Sequence, residues 1–180
     1  MPECRATYTC RVTTETVIRR VEPRDGPLVK SLRLRALAAD PTSFASTHGR
    51  EAAYIDEKWD AWAAGDATGD EMATMIALRG VEPVGIVAAY RDDVDVRVYH
   101  VIAMWVAPES RGRGLGRRLL QAIEDWIVES RGTSVQLEVA DAAEAAFRLY
   151  ESAGYMPDGS QSPSPHTSGV THIGLRKRLA

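Results

Sequence analysis

The chain has 180 residues, 44% of them hydrophobic and 26% charged, with a formal charge of −3, which suits a single globular domain with a full core. That balance lacks the strong positive charge by which nucleic-acid binders are recognised. No stretch of about 18 apolar residues and no charged-then-apolar leader occurs, so the composition argues against a transmembrane helix or secretory signal and for residence in the cytoplasm.

Residues 1–14 show no period and are expected to form a flexible leader. They hold Cys4 and Cys10, the only cysteines, which have no ligand-like partners and read as free thiols. Glu15 to Val21 is β-rich, and Pro23-Arg24-Asp25-Gly26-Pro27 reads as a turn. Leu28, Leu32, Arg35-Ala36 and Ala39 share a helical face that ends at Asp40-Pro41, where proline disfavours further helix. A second helix is expected over Gly49 to Ala64 and a loop over Gly65 to Asp70. Met72 to Leu78 and Val84 to Tyr90 are predicted strands of a hairpin turning at Arg79-Gly80-Val81-Glu82-Pro83. A third strand, Val96 to Val106, feeds a glycine-rich turn. Leu115, Leu119, Ala122, Ile123 and Trp126 then mark a helix that stops at Arg131-Gly132. A short strand follows at Val135 to Val139, then a helix from Ala142 to Ser152. Pro157 to Gly169, rich in Gly, Ser and Pro, is expected to be a mobile loop before a last strand from Val170 to Leu179. No internal repeat is apparent.

The segment from Val106 to Gly116 reads Val-Ala-Pro-Glu-Ser-Arg-Gly-Arg-Gly-Leu-Gly, a strand end running through a glycine turn into a helix. Glycines at 112, 114 and 116 lack the β-carbons that would hold a ligand off the backbone, so N–H groups at the helix start can converge on a phosphate or pyrophosphate. Two better-known glycine loops fail on spacing. No Lys-Ser/Thr follows to make a P-loop, which argues against a nucleotide-binding switch, and Gly112-x-Gly114-x-Gly116 is not the dinucleotide G-x-G-x-x-G.

The strand end and the Arg111-x-x-Gly114-x-Gly116 turn resemble the acetyl-CoA loop of the GNAT superfamily of N-acetyltransferases, whose pattern is Arg/Gln-x-x-Gly-x-Gly/Ala. A second block agrees: Ala146-Phe147-Arg148-Leu149-Tyr150-Glu151-Ser152-Ala153-Gly154-Tyr155 resembles the family's Ala-x-x-Leu-Tyr-x-x-x-Gly-Phe/Tyr, one helix and one strand downstream. The resemblance is specific over residues 98–156. It implies a single α/β domain over residues 15–180, with a mixed, mostly antiparallel sheet flanked by helices and splayed between residues 104 and 139 near the acetyl-CoA site. It also implies a bacterial-type acyltransferase that uses acetyl-CoA as donor, needs no metal, acts on an amine acceptor and often forms a homodimer. The excess of arginine over lysine, 19 to 3, fits a GC-rich bacterial genome.

Acetyl transfer to an amine needs a thioester held still, an unprotonated amine and a proton for the departing thiolate. By the resemblance, the cofactor-binding residues are Arg111, Gly112, Arg113, Gly114, Leu115, Gly116 and Arg117, with Met104, Trp105 and Val106 exposing backbone to the pantetheine and acetyl groups. Tyr150 matches the family tyrosine that protonates the thiolate. Glu138, twelve residues before it, matches the general base of bacterial ribosomal-protein N-terminal acetyltransferases; an exposed strand glutamate is its other reading. His100 and His172 are bases by chemical type. The chain departs from the family at Ala143, where an asparagine amide often bonds the pantetheine; Asp141 or Glu144 could act there through water. That loss supports an alternative, a CoA-binding regulatory module without turnover, and the retained Tyr150 opposes it. No cysteine lies near the motifs, so transfer is expected to be direct. The acceptor is open among a peptide N-terminus, a polyamine, an aminoglycoside-like antibiotic and another small amine. Residues 38–110 carry five basic and thirteen acidic groups, a balance that could steer a cationic amine.

Overall fold

In the computed structural model, which describes residues 15–179, the elements run in chain order as β1 (Thr16–Arg20), α1 (Gly26–Ala39), α2 (His48–Ala52), α3 (Asp56–Asp66), β2 (Met72–Arg79), β3 (Glu82–Arg91), β4 (Val98–Val106), α4 (Leu115–Glu129), β5 (Ser134–Ala140), α5 (Glu144–Ser152), β6 (Met156–Pro163) and β7 (Thr171–Arg178). The expected leader, residues 1–14 with Cys4 and Cys10, lies outside the described residues. No helix among the described residues is long and apolar enough to cross a membrane.

The strands form one sheet in the order β1-β2-β3-β4-β5-β7-β6. Every neighbouring pair is antiparallel except β4 with β5, which are parallel because α4 carries the chain across between them. Helices cover both faces. A β-carbon added to Gly85 of β3 would come within 2.8 Å of Leu119 Cδ1, so glycine lets α4 lie close against the sheet. Trp105 stands opposite Ile86, on the other face, with the Arg35 guanidinium of α1 at 5.5 Å from its ring centroid. The α4 stripe of Leu115, Leu119, Ile123, Trp126 and Ile127 is buried, each large side chain adding about 1.5–3 kcal/mol of burial.

The sheet opens where β4 is irregular. Ala88 pairs with Ile102 and Ile86 with Trp105, so Ala103 and Met104 together oppose the single residue Val87, a bulge that bends the strand. Ala103 takes φ = +55°, a left-handed conformation that costs a non-glycine residue about 1–3 kcal/mol. The parallel contact with β5 covers only Val98–His100 against Ser134–Gln136. Beyond it β4 stays with β3, while Leu137–Ala140 of β5 pair with β7 alone, and a cleft opens between the facing strand edges.

Three sequence expectations need correction. The expected loop over Pro157–Gly169 is largely strand β6, paired with β7 from Met156↔Arg176 to Pro163↔Thr171. Its Gly, Ser and Pro content is compatible with an edge strand, where proline's missing N–H costs no ladder bond. Residues 158–160 bulge, with Gly159 at φ = +89° and Asp158 Oδ1 accepting from the Ser160 N–H and hydroxyl. The single helix expected over Gly49–Ala64 is two, interrupted before Ile55, which is extended; α2 is capped by Thr47 accepting from Arg50 N–H and anchored by buried Glu51, which pairs with Arg33. The third strand begins at Val98 instead of Val96, because Asp92 Oδ1 accepts from the N–H groups of Val94 and Asp95 and holds a turn there.

Candidate active site

The N-terminus of α4 forms one end of the cleft. The N–H groups of residues 112–117 make no backbone hydrogen bond, the first helical one being Arg118 N–H to Gly114 O at 3.1 Å. Gly112 and Gly114 take φ = +71° and +75°, and an added β-carbon at either would meet nothing within 4 Å. Glycine therefore leaves both the backbone fold and the space before it open to an anion. At Gly116 the reason differs. A β-carbon there would lie 3.2 Å from Leu149 Cδ2, so this glycine admits α5.

Two of the loop's three arginine side chains are engaged by protein groups, and the third, Arg113, is exposed. Arg111 Nε donates to Val106 O at 2.8 Å and its Nη2 to Asp40 Oδ2 at 2.5 Å. Arg117 Nη1 donates to Ser152 O at 2.7 Å, tying α4 to the end of α5. The side chains of Arg111 and Arg117 are thus held by the protein, and the open groups facing the cleft at this turn are main-chain N–H groups.

The cleft has a volume of about 790 Å³ and is lined from β4 by Met104, Trp105 and Val106, from β5 by Glu138, Val139 and Ala140, and from α5 by Tyr150. Of the sequence-predicted site residues, Met104, Trp105, Val106, Arg111, Gly112, Gly114, Leu115, Gly116, Arg117, Glu138, Ala143 and Tyr150 line it, and Arg113 does not. Ala143 caps α5 and presents only a methyl group. Glu144 lines the cleft but pairs with Arg148, and Asp141 accepts from Ala142 N–H outside it.

Tyr150 is 6% exposed, and burial alone pushes its phenol above the ordinary tyrosine range. Glu138 is 57% exposed at the side chain, with His172 Nδ1 at 3.7 Å from Oε2 and the Ser162 hydroxyl donating to Oε1 at 3.3 Å. His172 is buried and its Nε2 has no partner. His100 lies outside the cleft lining, stacked on Tyr90 with centroids 4.9 Å apart and bonded through Nε2 to Asp92 Oδ2 at 2.9 Å. Hydrogen bonds from Asp95 N–H, His100 and Val94 N–H hold the Asp92 carboxyl down at about 2.

Sequence reasoning missed the wall built by Asp40, Thr42, Ser43 and Phe44. Its sole signal was Asp40-Pro41, read only as a helix end.

A sequence profile of the acetyltransferase (GNAT) family matches residues 33–155. The chain belongs to the GNAT family. The relative N-alpha-acetyltransferase RimI of Mycobacterium tuberculosis (strain ATCC 25618 / H37Rv) is 37% identical over 79 residues, which span 44% of this chain and about half, 48%, of that protein. A GNAT acetyltransferase structure from Streptococcus pneumoniae superposes with a TM-score of 0.78 at 21% identity, over 92% of this chain and 100% of that one. The structure of yncA, described as a putative acetyltransferase, from Salmonella typhimurium with its cofactor acetyl-CoA gives 0.76 at 14% identity, over 92% and 95%. These two likenesses are of fold: this GNAT chain has the seven-stranded mixed sheet with helices on both faces. No cluster of three or more metal-ligating side chains occurs among its described residues.

Proposed function

We propose that the protein transfers acetyl from acetyl-CoA directly to the nitrogen of a primary amine. The observation that carries this reading is the convergence on one cleft of the open N–H groups of residues 112–117, the parted edges of β4 and β5, a buried Tyr150 and a half-exposed Glu138. The donor fits these residues: the N–H groups at the α4 start would hold its pyrophosphate, and the backbone of Met104–Val106 its pantetheine and acetyl carbonyl. Acetyl-CoA supplies an acetyl group activated as a thioester.

Glu138 accepts a proton from the acceptor ammonium, directly or through water, and so frees the nitrogen lone pair. The new C–N bond forms as the C–S bond breaks, Tyr150 Oη gives its proton to the leaving sulfur, and the second proton shed by the nitrogen passes to the phenolate, directly or through water, restoring the phenol. Burial disfavours the phenolate, which keeps that proton on Tyr150 until the sulfur needs it. Among the described residues Glu138 is the sole acid of the cleft without an arginine partner, since Asp40 and Glu144 are paired with Arg111 and Arg148. Attraction of a cationic amine therefore rests on Glu138, more than on the acidic middle of the chain, where Asp56, Asp70, Glu71, Glu82 and Glu109 are also paired.

The likeness to a relative named as an N-alpha-acetyltransferase makes a peptide α-amine the first acceptor to try, ahead of polyamines, aminoglycosides and small amines. Thiol release from acetyl-CoA, measured across those four classes, tests the reading. Release with any one of them supports it. Binding of acetyl-CoA with release by none would leave the regulatory-module alternative, which Ala143 favours.

A further inference from the structure

Asp40 closes the first turn after α1 and reaches across the cleft. Its Oδ2 accepts from Trp105 Nε1 at 2.8 Å and from Arg111 Nη2 at 2.5 Å. Arg111 Nε in turn donates to Val106 O at 2.8 Å, so one carboxylate oxygen gathers the end of β4 and the start of the glycine turn. The Asp40 backbone is itself held on both sides, its N–H donating to Ala36 O at 2.9 Å and its carbonyl accepting from Ser43 N–H at 3.0 Å. The carboxylate thus links the glycine turn to the α1 end and, through the Ser43 N–H bond, to Thr42, Ser43 and Phe44, which also line the cleft.

We propose that Asp40 is a positioning residue that couples the two walls, passing occupation of the donor loop to residues 41–44. The inference rests on the donor reading of the cleft and goes beyond it. A carboxylate in an anion-binding cleft would repel phosphate if bare; here Arg111 neutralises it. Arg111 thus serves donor binding through Asp40 and Val106, while the main-chain N–H groups of the turn take the anion. Trp105, 4% exposed, is held between this carboxylate and the Arg35 guanidinium, so its ring has no freedom to absorb a shift of the loop.

Hydrogen–deuterium exchange with and without acetyl-CoA tests the coupling, after calorimetry has established that the parent binds. In the parent, acetyl-CoA should slow exchange in peptides covering 111–117 and also in those covering 40–46, the latter by about fivefold, the lower end of ordinary coupling between sites. In Asp40→Ala the slowing at 111–117 should persist and that at 40–46 should vanish. Asp40→Asn, nearly isosteric, keeps an acceptor for the indole but loses the ion pair, and should reduce the effect at 40–46 with the far-ultraviolet spectrum and Tm unchanged. Arg111→Ala by itself should abolish the slowing at 40–46 as Asp40→Ala does, and retained slowing there would remove the ion pair from the coupling. Equal protection of 40–46 in the parent and both Asp40 variants would overturn the coupling, as would a parent protected at 111–117 alone. A parent that binds no acetyl-CoA would overturn the donor reading and the coupling with it.

Discussion

Tyr150 and Tyr155 meet edge to face with ring centroids 5.7 Å apart, yet their hydroxyls are in opposite situations. Tyr155 donates to buried Glu124 Oε1 at 2.8 Å, and Glu124 also takes Lys177 Nζ at 2.6 Å. Tyr150 lines the cleft, with burial the sole influence on its phenol. One ring is locked into the packing between α4 and β7, and the other packs against it at the cleft lining.

Tyr150→Phe keeps that ring contact and removes the proposed proton donor. Turnover should fall by roughly tenfold or more, on the scale of about 100-fold for general acid catalysis, with little change in acetyl-CoA affinity. Steady-state kinetics with calorimetry separate the two, and equal turnover would reassign Tyr150 to packing.

Gly114→Asp places a carboxylate before the N–H groups of the α4 start. Asp is among the residues that tolerate φ near +75°, and no heavy atom lies within 4 Å of the new β-carbon, so the fold should survive. A like charge at about 4 Å from a phosphate costs about 1–4 kcal/mol, which weakens acetyl-CoA binding by about fivefold or more. Unchanged affinity in a folded variant would remove the anion site from this turn.

Glu138→Gln removes the proposed base while keeping an acceptor for Ser162. The rate should drop most at low pH and recover as the amine loses its own proton. A variant with the parent's pH–rate profile would assign proton removal to water or another group. For a cationic acceptor, kcat/KM of the parent should also fall as salt shortens the Debye length from about 10 Å to about 3 Å.

Arg33 and Glu51 form a buried two-bond pair at 2.9 and 2.8 Å that joins α1 to α2. Glu51→Ala leaves the guanidinium buried without its partner, a loss of about 3–5 kcal/mol. Chemical denaturation should show it; a loss below about 1 kcal/mol would mean that water reaches Arg33.

Asp92 stands below the usual carboxylate range because it accepts from Asp95 N–H, His100 and Val94 N–H. A depressed folded-state value stabilises the fold above the unfolded value near 3.9, and the contribution is lost as pH falls toward about 2. Asp92→Asn should therefore flatten the stability profile of the parent between pH 4 and about 2, as read by urea midpoints across that window. A carboxyl carbon resonance of Asp92 titrating near 4 would contradict the assignment.

The glycine turn of the candidate site was legible because its signal is local. A phosphate cradle needs a strand end, glycines at fixed offsets and a helix start, and all of these lie within residues 106–117, so spacing alone could place Gly112, Gly114 and the α4 N-terminus. The place of Tyr150 at the cleft followed from the resemblance of the short block 146–155 to the family pattern. The antiparallel majority of the sheet was likewise legible from the family pattern. Strand β6 was not, because an edge strand with one neighbour tolerates the Pro, Gly and Ser that otherwise mark a loop. Nor was the Asp40 wall, since Asp40 and Arg111 are 71 positions apart and nothing in either local sequence refers to the other. The splay between β4 and β5 was expected only by likeness; its physical cause, two residues of β4 against one of β3 with Ala103 in a left-handed conformation, is a property of paired strands. Pairing compares residues distant in the chain, and a register or a cross-cleft ion pair exists only once packing has brought those residues together.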